Sequence, residues 1–158
     1  RRLKGEAVEE RIDTTVDIKI DGFISDRYIE DEDQKIEIYK KISSVESMDD
    51  YRELIDELID RFGDLPKPVE NLMNISYIRA LASKNGIKNI LQLSDRIRLD
   101  FASPEWLKPE LINQLSGKYG REIEFDLSTE PGITITTKTE IINRLKDLVE
   151  AIDNFSRP

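Results

Sequence analysis

Residues 51–73, YRELIDELIDRFGDLPKPVENLM, contain the clearest helix signals in the sequence. Apolar side chains recur there every three or four positions, as they do on the buried face of an amphipathic helix. Gly63 can adopt the left-handed backbone that ends a helix, and Pro66 cannot continue one. The pattern therefore predicts one helix that ends at about Phe62 and a second that begins near Pro68.

The first of these helices also has an acidic face. At about 100° per residue, four carboxylates fall within about 100° of one another and opposite the apolar side chains. They are Glu53, Asp56, Glu57 and Asp60. Only Arg52 and Arg61 are close enough in sequence to relieve their mutual repulsion. Such a face is compatible with a plain solvated surface or with a docking surface for a basic partner.

The N-terminal end predicts a linker and a strand. Residues 1–13 are charged and lack a sustained apolar face, so we interpret them as a linker or frayed end. Apolar and polar residues then alternate, which predicts a half-buried strand over residues 14–22. We therefore expect a single domain over residues 14–158.

Another helix is expected between this strand and the acidic helix. The apolar spacing predicts it over residues 31–44, with Ile36, Tyr39 and either Ile42 or Ser43 on one face. The acids at its start are stabilised by the positive end of the helix dipole.

The acidic helix and the helix after it have clear boundaries. Ser47 is a good N-cap for the acidic helix. The following helix is expected to run from Pro68 to Asn85 and Gly86. Because Arg79 is its only charge between its first and last turns, we predict that it is the central, most buried helix.

The C-terminal half predicts two hairpins separated by a helix. Residues 87–101 and 121–135 each contain two alternating segments joined by turn residues. The helix between them should start with Ser103 and Pro104, place Trp106 in the core or at its rim, and close at Gly117 or Gly120.

A last amphipathic helix completes the fold. Thr137 and Glu140 have the spacing of a capping box, and an apolar stripe continues to Phe155. Helices and hairpins are segregated, which favours an α+β class. We expect a helical N-terminal half packed with a mainly antiparallel sheet of two hairpins plus the N-terminal strand.

Composition excludes many kinds of site. The 158 residues include no Cys and no His, which removes the usual zinc ligands, the thiol nucleophile and the side chain that most readily exchanges protons near neutral pH. The net charge is −9, and residues 1–80 account for −8 of it. Direct nucleic-acid binding by this chain is therefore not expected. No signal peptide or membrane-length apolar stretch is present, so we expect a cytoplasmic protein.

The acidic run at residues 30–33 does not form a calcium-binding motif. A calcium loop that began at Asp31 would have Lys35 and Ile36 where an oxygen ligand and a glycine are needed. The sequence also has no Walker A motif and no glycine-rich dinucleotide fingerprint, so we expect no cofactor and no metal.

Two segments resemble a known family. GFISDRYIEDEDQKIEIYKKI (residues 22–42) and ELIDRFGDLPKPVENLM (residues 57–73) resemble the most recognisable parts of the C-terminal domain of bacterial transcription-repair coupling factors (Mfd). The later order of GIKNI, hairpin, PEWL, hairpin and terminal helix is also similar. The resemblance covers residues 14–155.

This resemblance implies a regulatory role without catalysis. The parent protein would be an ATP-dependent DNA translocase that displaces stalled RNA polymerase and recruits excision repair. Its C-terminal domain, a monomer, would pack against an N-terminal UvrB-like module and cover the surface that binds UvrA. By position, the family's interface acids correspond to Glu57 and Asp60, which would pair with arginines of that module. Glu53 and Asp56 share the face, without an assigned role.

Two other functions remain open. A stand-alone adaptor would use the same acidic face for an unrelated basic partner. A small hydrolase would need a concave pocket near Asp56 or Asp60 and a carboxyl whose pKa is raised.

Overall fold

Residues 11–137 and 140–157 are described by a computed structural model, and they form five strands and five α-helices. In chain order the elements are β1 (Thr15–Asp17), α1 (Glu32–Ser43), α2 (Met48–Phe62), α3 (Lys67–Lys84), β2 (Ile87–Leu93), β3 (Arg96–Phe101), α4 (Pro109–Tyr119), β4 (Ile123–Asp126), β5 (Gly132–Thr136) and α5 (Ile141–Ser156). Single turns of 3-10 helix cover Pro104–Trp106 and Gly120–Glu122.

All five strands belong to one sheet with the order β1-β2-β3-β5-β4. The pairs β2–β3, β3–β5 and β4–β5 are antiparallel, and only β1 runs parallel to its neighbour β2. The two predicted hairpins, β2–β3 and β4–β5, are confirmed, and so is the α+β class. Within the described residues, no helix has the length and apolar character needed to span a membrane.

Helix α3 is the centre of the core. Nine of its 18 residues are buried, and Val69, Met73 and Ile78 are fully inaccessible. It packs against α5 and also contacts β1, β2, α1 and α2. The prediction that this nearly uncharged helix is the most buried one is confirmed.

Helices α1 and α2 begin and end where local chemistry predicts. The carboxylate of Asp31 accepts the N–H of Gln34 at 2.9 Å, so the acidic run before α1 caps a helix. The Ser47 hydroxyl accepts the N–H of Asp50 at 3.1 Å and caps α2. Helix α2 ends at Gly63, whose φ of 91° is accessible to glycine at little cost.

The predicted apolar face of α1 is wrong in part. Ile38 and Ile42 are the buried residues of this helix, whereas Ile36 is 50% exposed and Tyr39 is 37% exposed. Apolar residues occur on two sides of α1, and spacing alone did not identify which side meets the core. The i, i+4 pair is the one that packs inward.

The predicted helix from Ser103 is divided. Pro104 begins a 3-10 turn, and α4 starts only at Pro109, because a proline has no N–H for continuous helical bonding. The helix closes at Gly120, whose φ is 58°, so the alternative end at Gly117 is wrong. Trp106 is half-buried, as expected for an anchor at the rim of the core.

The predicted capping box of α5 is also wrong. Glu140 occupies the N-cap position without a side-chain capping bond. The Thr137 hydroxyl and N–H both donate to the carbonyl of Asp95, at 3.2 and 2.7 Å. Thr137 therefore ties the end of β5 to the β2–β3 turn. The two residues between Thr137 and Glu140 lie outside the described residues.

The strand ends differ slightly from their predicted limits. Strand β1 has three residues, since the N–H of Lys19 donates to the Gln92 side chain at 2.7 Å instead of to a backbone carbonyl. Leu127, which we expected in β4, lies beyond it and is 62% exposed.

Residues 11–13, which the sequence assigns to the linker, contact the fold. The Ser83 hydroxyl donates to the Ile12 carbonyl at 2.6 Å, and Arg11 forms an ion pair with Glu46 at 2.9 Å. The rest of the predicted linker, residues 1–10, lies outside the described residues.

Candidate functional site

The four carboxylates of α2 occupy the side of the helix that faces away from the core. Tyr51, Leu54 and Leu58 are the buried residues of this helix. Glu53, Asp56 and Asp60 are exposed, and the side chain of Glu57 is 32% exposed. The predicted exposure is therefore confirmed for three of the four acids, while Glu57 is half-buried.

Glu57 is held by bases from two helices. Its Oε2 accepts hydrogen bonds from Lys41 Nζ at 2.7 Å and from Arg61 Nη1 at 2.8 Å. Glu37 lies 3.5 Å from both of these bases. Glu37, Lys41, Glu57 and Arg61 form a charge-balanced group, which we call the α1–α2 ion-pair cluster. Lys41 approaches Glu57 from α1, in addition to the arginine that is close in sequence.

This cluster shifts the pKa of its central carboxyl. The hydrogen bonds from Lys41 and Arg61 lower the pKa of Glu57, because they stabilise its ionised form. The same contact raises the pKa of Lys41. A general acid needs a carboxyl whose pKa is raised, so the environment of Glu57 is the opposite of the one that a general acid needs.

The other three acids lack such a partner among the described residues. Within residues 11–137 and 140–157, neither Glu53, Asp56 nor Asp60 forms an ion pair with a described basic side chain. The outer face of α2 therefore presents three uncompensated negative charges to solvent. We call Glu53, Asp56 and Asp60 the α2 acidic face.

A groove of about 370 Å³ lies between α1 and α2. Its lining includes Lys40, Lys41, Glu53 and Glu57, with Val45 and Leu54 at its apolar base. Asp56 and Asp60 do not line it. The groove is thus not the pocket that the hydrolase hypothesis requires beside those two acids. In the part of the chain that the structure describes, no acidic residues are grouped as a metal site.

Residues 22–42 and 57–73 contact each other directly. The Tyr28 hydroxyl donates to the Gly63 carbonyl at 2.8 Å, and the Tyr28 ring packs on Phe62 at 5.8 Å between centroids. The Asn71 amide also donates to the carbonyl of Asp21, the residue just before the first segment, at 2.9 Å. These contacts join the end of α2 and the first part of α3 to the loop before α1. The two segments that resemble the family therefore help to hold α2, and with it the α2 acidic face, in position. Sequence reasoning did not identify this pairing, which joins residues 35 and 50 positions apart.

Relatives of the chain share one name. The family described as TRCF domain matches residues 18–112. The chain is 34% identical over 151 residues to the transcription-repair-coupling factor of Bacillus subtilis (strain 168), which covers 92% of this chain and 13% of that protein. It is 33% identical over 146 residues to the transcription-repair-coupling factor of Staphylococcus aureus (strain USA300). That alignment covers 90% of this chain and 12% of that protein.

A solved structure has the same fold. The crystal structure of the C-terminal domain of transcription-repair coupling factor matches with a TM-score of 0.82 and 23% identity, over 94% of this chain and 98% of that chain. The chain spans 12 to 13% of the length of the curated relatives it matches. The family match covers more than half of the chain, and the chain therefore belongs to the TRCF domain family.

Proposed function

We propose that this chain is the noncatalytic regulatory domain of a transcription-repair coupling factor. It packs against the N-terminal UvrB-like module of the same parent protein and masks the surface that binds UvrA. The parent acts as a cytoplasmic, ATP-dependent DNA translocase that displaces stalled RNA polymerase. Release of this domain exposes the UvrA site and so couples the displacement of the polymerase to repair.

The exposed acids of the α2 acidic face are the main support for this proposal. Asp60, one of the two acids expected at the interface, is exposed and has no described basic partner. A basic surface that approaches α2 would therefore gain complementarity without first breaking an ion pair within the domain. Glu57 differs, because an incoming arginine must share it with Lys41 and Arg61.

The energetics suit a reversible latch. An exposed ion pair contributes about 0–1 kcal/mol, because water and salt screen it. A few such pairs hold two domains together without preventing their separation. We therefore expect the affinity of this chain for the N-terminal module to fall as the salt concentration is raised.

Binding of this chain to the separately produced N-terminal module tests the proposal. The dissociation constant is measured at low and high salt for the unchanged chain, for Asp60→Lys and for Asp60→Lys combined with Glu57→Lys. We expect about tenfold weaker binding for the double variant at low salt, which corresponds to about 1.4 kcal/mol. Glu130→Lys, an equal charge change in the exposed β4–β5 loop, is the matched control. Unchanged binding by the double variant would exclude this interface.

A further inference from the structure

Helix α1 exposes apolar side chains that its own fold does not bury. Ile36 is 50% exposed, Tyr39 is 37% exposed, and Phe23, in the preceding loop, is 46% exposed. Ile36 and Tyr39 are neighbours on the helix surface because they lie three residues apart. The N–H of Ile24 donates to the Tyr39 hydroxyl at 2.9 Å, so the loop that carries Phe23 is bonded to the Tyr39 side chain. We call Phe23, Ile36 and Tyr39 the apolar patch.

Packing within the domain does not explain this patch. Ile38 and Ile42 already supply the contacts of α1 with the core. A single exposed apolar residue is ordinary, whereas a contiguous apolar patch is typical of an interaction surface. Leu93, at the end of β2, and Leu127, just after β4, are by contrast exposed in separate parts of the fold. The Tyr39 hydrogen bond also limits the freedom of the patch, which lowers the entropy cost of docking.

Lys40 connects the side of α1 that carries Ile36 to the groove between α1 and α2. Lys40 follows Ile36 by four residues, so the two share one side of α1, and Lys40 also lines the groove with Glu53. Beyond the groove, the α1–α2 ion-pair cluster joins the two helices. The outer surface of α1 and α2 therefore combines an apolar region with an acidic one.

The charges around the patch indicate the chemistry of its partner. Glu32 and Asp33 are exposed at the start of α1, and the α2 acidic face lies across the groove. Lys40 is the one exposed base of α1 on the side of Ile36. A complementary surface would present several arginine or lysine side chains beside an exposed aliphatic or aromatic residue.

We propose that the apolar patch is the anchor of the docking surface and that its occupant is such a basic, partly apolar surface on the N-terminal module. This inference rests on the proposed function, which places that module against α2. The anchor supplies affinity that salt does not screen, and the acids of α2 supply orientation and salt dependence.

The test compares apolar and charged variants of the 158-residue chain in binding to the N-terminal module. Phe23→Ser combined with Ile36→Ser should weaken binding at least tenfold at low and at high salt alike. Asp60→Lys should weaken binding mainly at low salt. Leu127→Ser, at a more exposed leucine, is the matched control and should bind as the unchanged chain does. If the double variant unfolds at a lower temperature, Ile36→Ser alone replaces it, with an expected loss of about threefold.

The outcomes separate this inference from the proposed function. Unchanged binding by the patch variants, with weaker binding by Asp60→Lys, overturns the anchor and leaves the acidic interface. Weak binding by the patch variants alone supports the anchor and removes the acidic contact. No binding by the unchanged chain overturns both. A dimer of this chain that Ile36→Ser abolishes also overturns the inference, because a second copy would then occupy the patch.

Discussion

Gly86 is a position where one added methyl group should be costly. It follows α3 with a φ of 74°, and a Cβ built there would lie 2.2 Å from the Trp106 ring. A non-glycine residue in left-handed backbone costs about 1–2 kcal/mol. Displacing a packed ring costs a further ~1–3 kcal/mol. We therefore expect Gly86→Ala to lower the free energy of unfolding by about 2–5 kcal/mol.

Urea denaturation measures this loss. Trp106 is the only tryptophan in the chain, so its fluorescence reports both on unfolding and on displacement of the ring in the folded state. Gly117→Ala is the control: it lies inside α4, and among the described residues no atom outside its chain neighbours and local helix backbone lies within 4 Å of an added Cβ. Because glycine disfavours a helix interior, this control should gain about 0.5–1 kcal/mol.

A double-mutant cycle identifies the cause. In a Trp106→Ala background the ring is absent, so Gly86→Ala should cost only the ~1–2 kcal/mol of the left-handed backbone. Unfolding of the four variants is followed by circular dichroism, which does not need the tryptophan. An equal cost of Gly86→Ala in both backgrounds would refute the close contact between Gly86 and Trp106.

Three further predictions concern other parts of the fold. Leu58→Ala should lower the free energy of unfolding by about 2–5 kcal/mol, because Leu58 is fully buried. Ile59→Ala, at a neighbour that is 44% exposed, should lower it by less than about 1 kcal/mol. Equal losses in urea denaturation would contradict the orientation of α2. By NMR titration, the pKa of Glu57 should lie below that of an ordinary glutamate and rise in Lys41→Ala. The stabilisation from Glu57 should be present above the ordinary carboxyl pKa and be lost as the pH falls through its lowered pKa; an unchanged Glu57 titration in Lys41→Ala would argue against the cluster. Burial raises the pKa of Tyr77, so as the pH rises the unfolded chain loses the Tyr77 hydroxyl proton before the folded chain does. The free energy of unfolding should therefore fall as the pH rises above about 10, and it should fall less steeply in Tyr77→Phe.

Local signals in the sequence were enough to predict most element boundaries. Gly63 and Pro66 end α2 through their own backbone preferences, and Ser47 caps it with its own hydroxyl. These effects act within a few residues and need no knowledge of tertiary structure. Pro109 carries an equally local signal, since a proline favours the first turn of a helix. It indicates the start of α4, and so the division of the helix that was predicted to run on from Ser103.

Features that depend on distant contacts were not predicted. Lys41 reaches Glu57 across 16 positions, and Thr137 bonds to Asp95 across 42. No spacing rule within one helix contains these contacts. The exposure of Ile36 has the same origin, because the side of α1 that meets the core is set by α3 and not by α1 alone.

The candidate site divides in a similar way. The outward orientation of Asp56 and Asp60 follows from the helical spacing of α2 alone. The engagement of Glu57 with Lys41 required the structure. The role of these acids in docking came from the family resemblance, and it remains a prediction.

Competition with UvrA tests whether this chain masks the UvrA-binding surface of the N-terminal module. Binding of UvrA to the N-terminal module is measured with increasing amounts of this chain and, separately, of its Asp60→Lys variant. We expect the unchanged chain to displace UvrA and the Asp60→Lys variant to require a higher concentration to do so. A complex in which UvrA, the module and this chain are all bound at once would contradict the account.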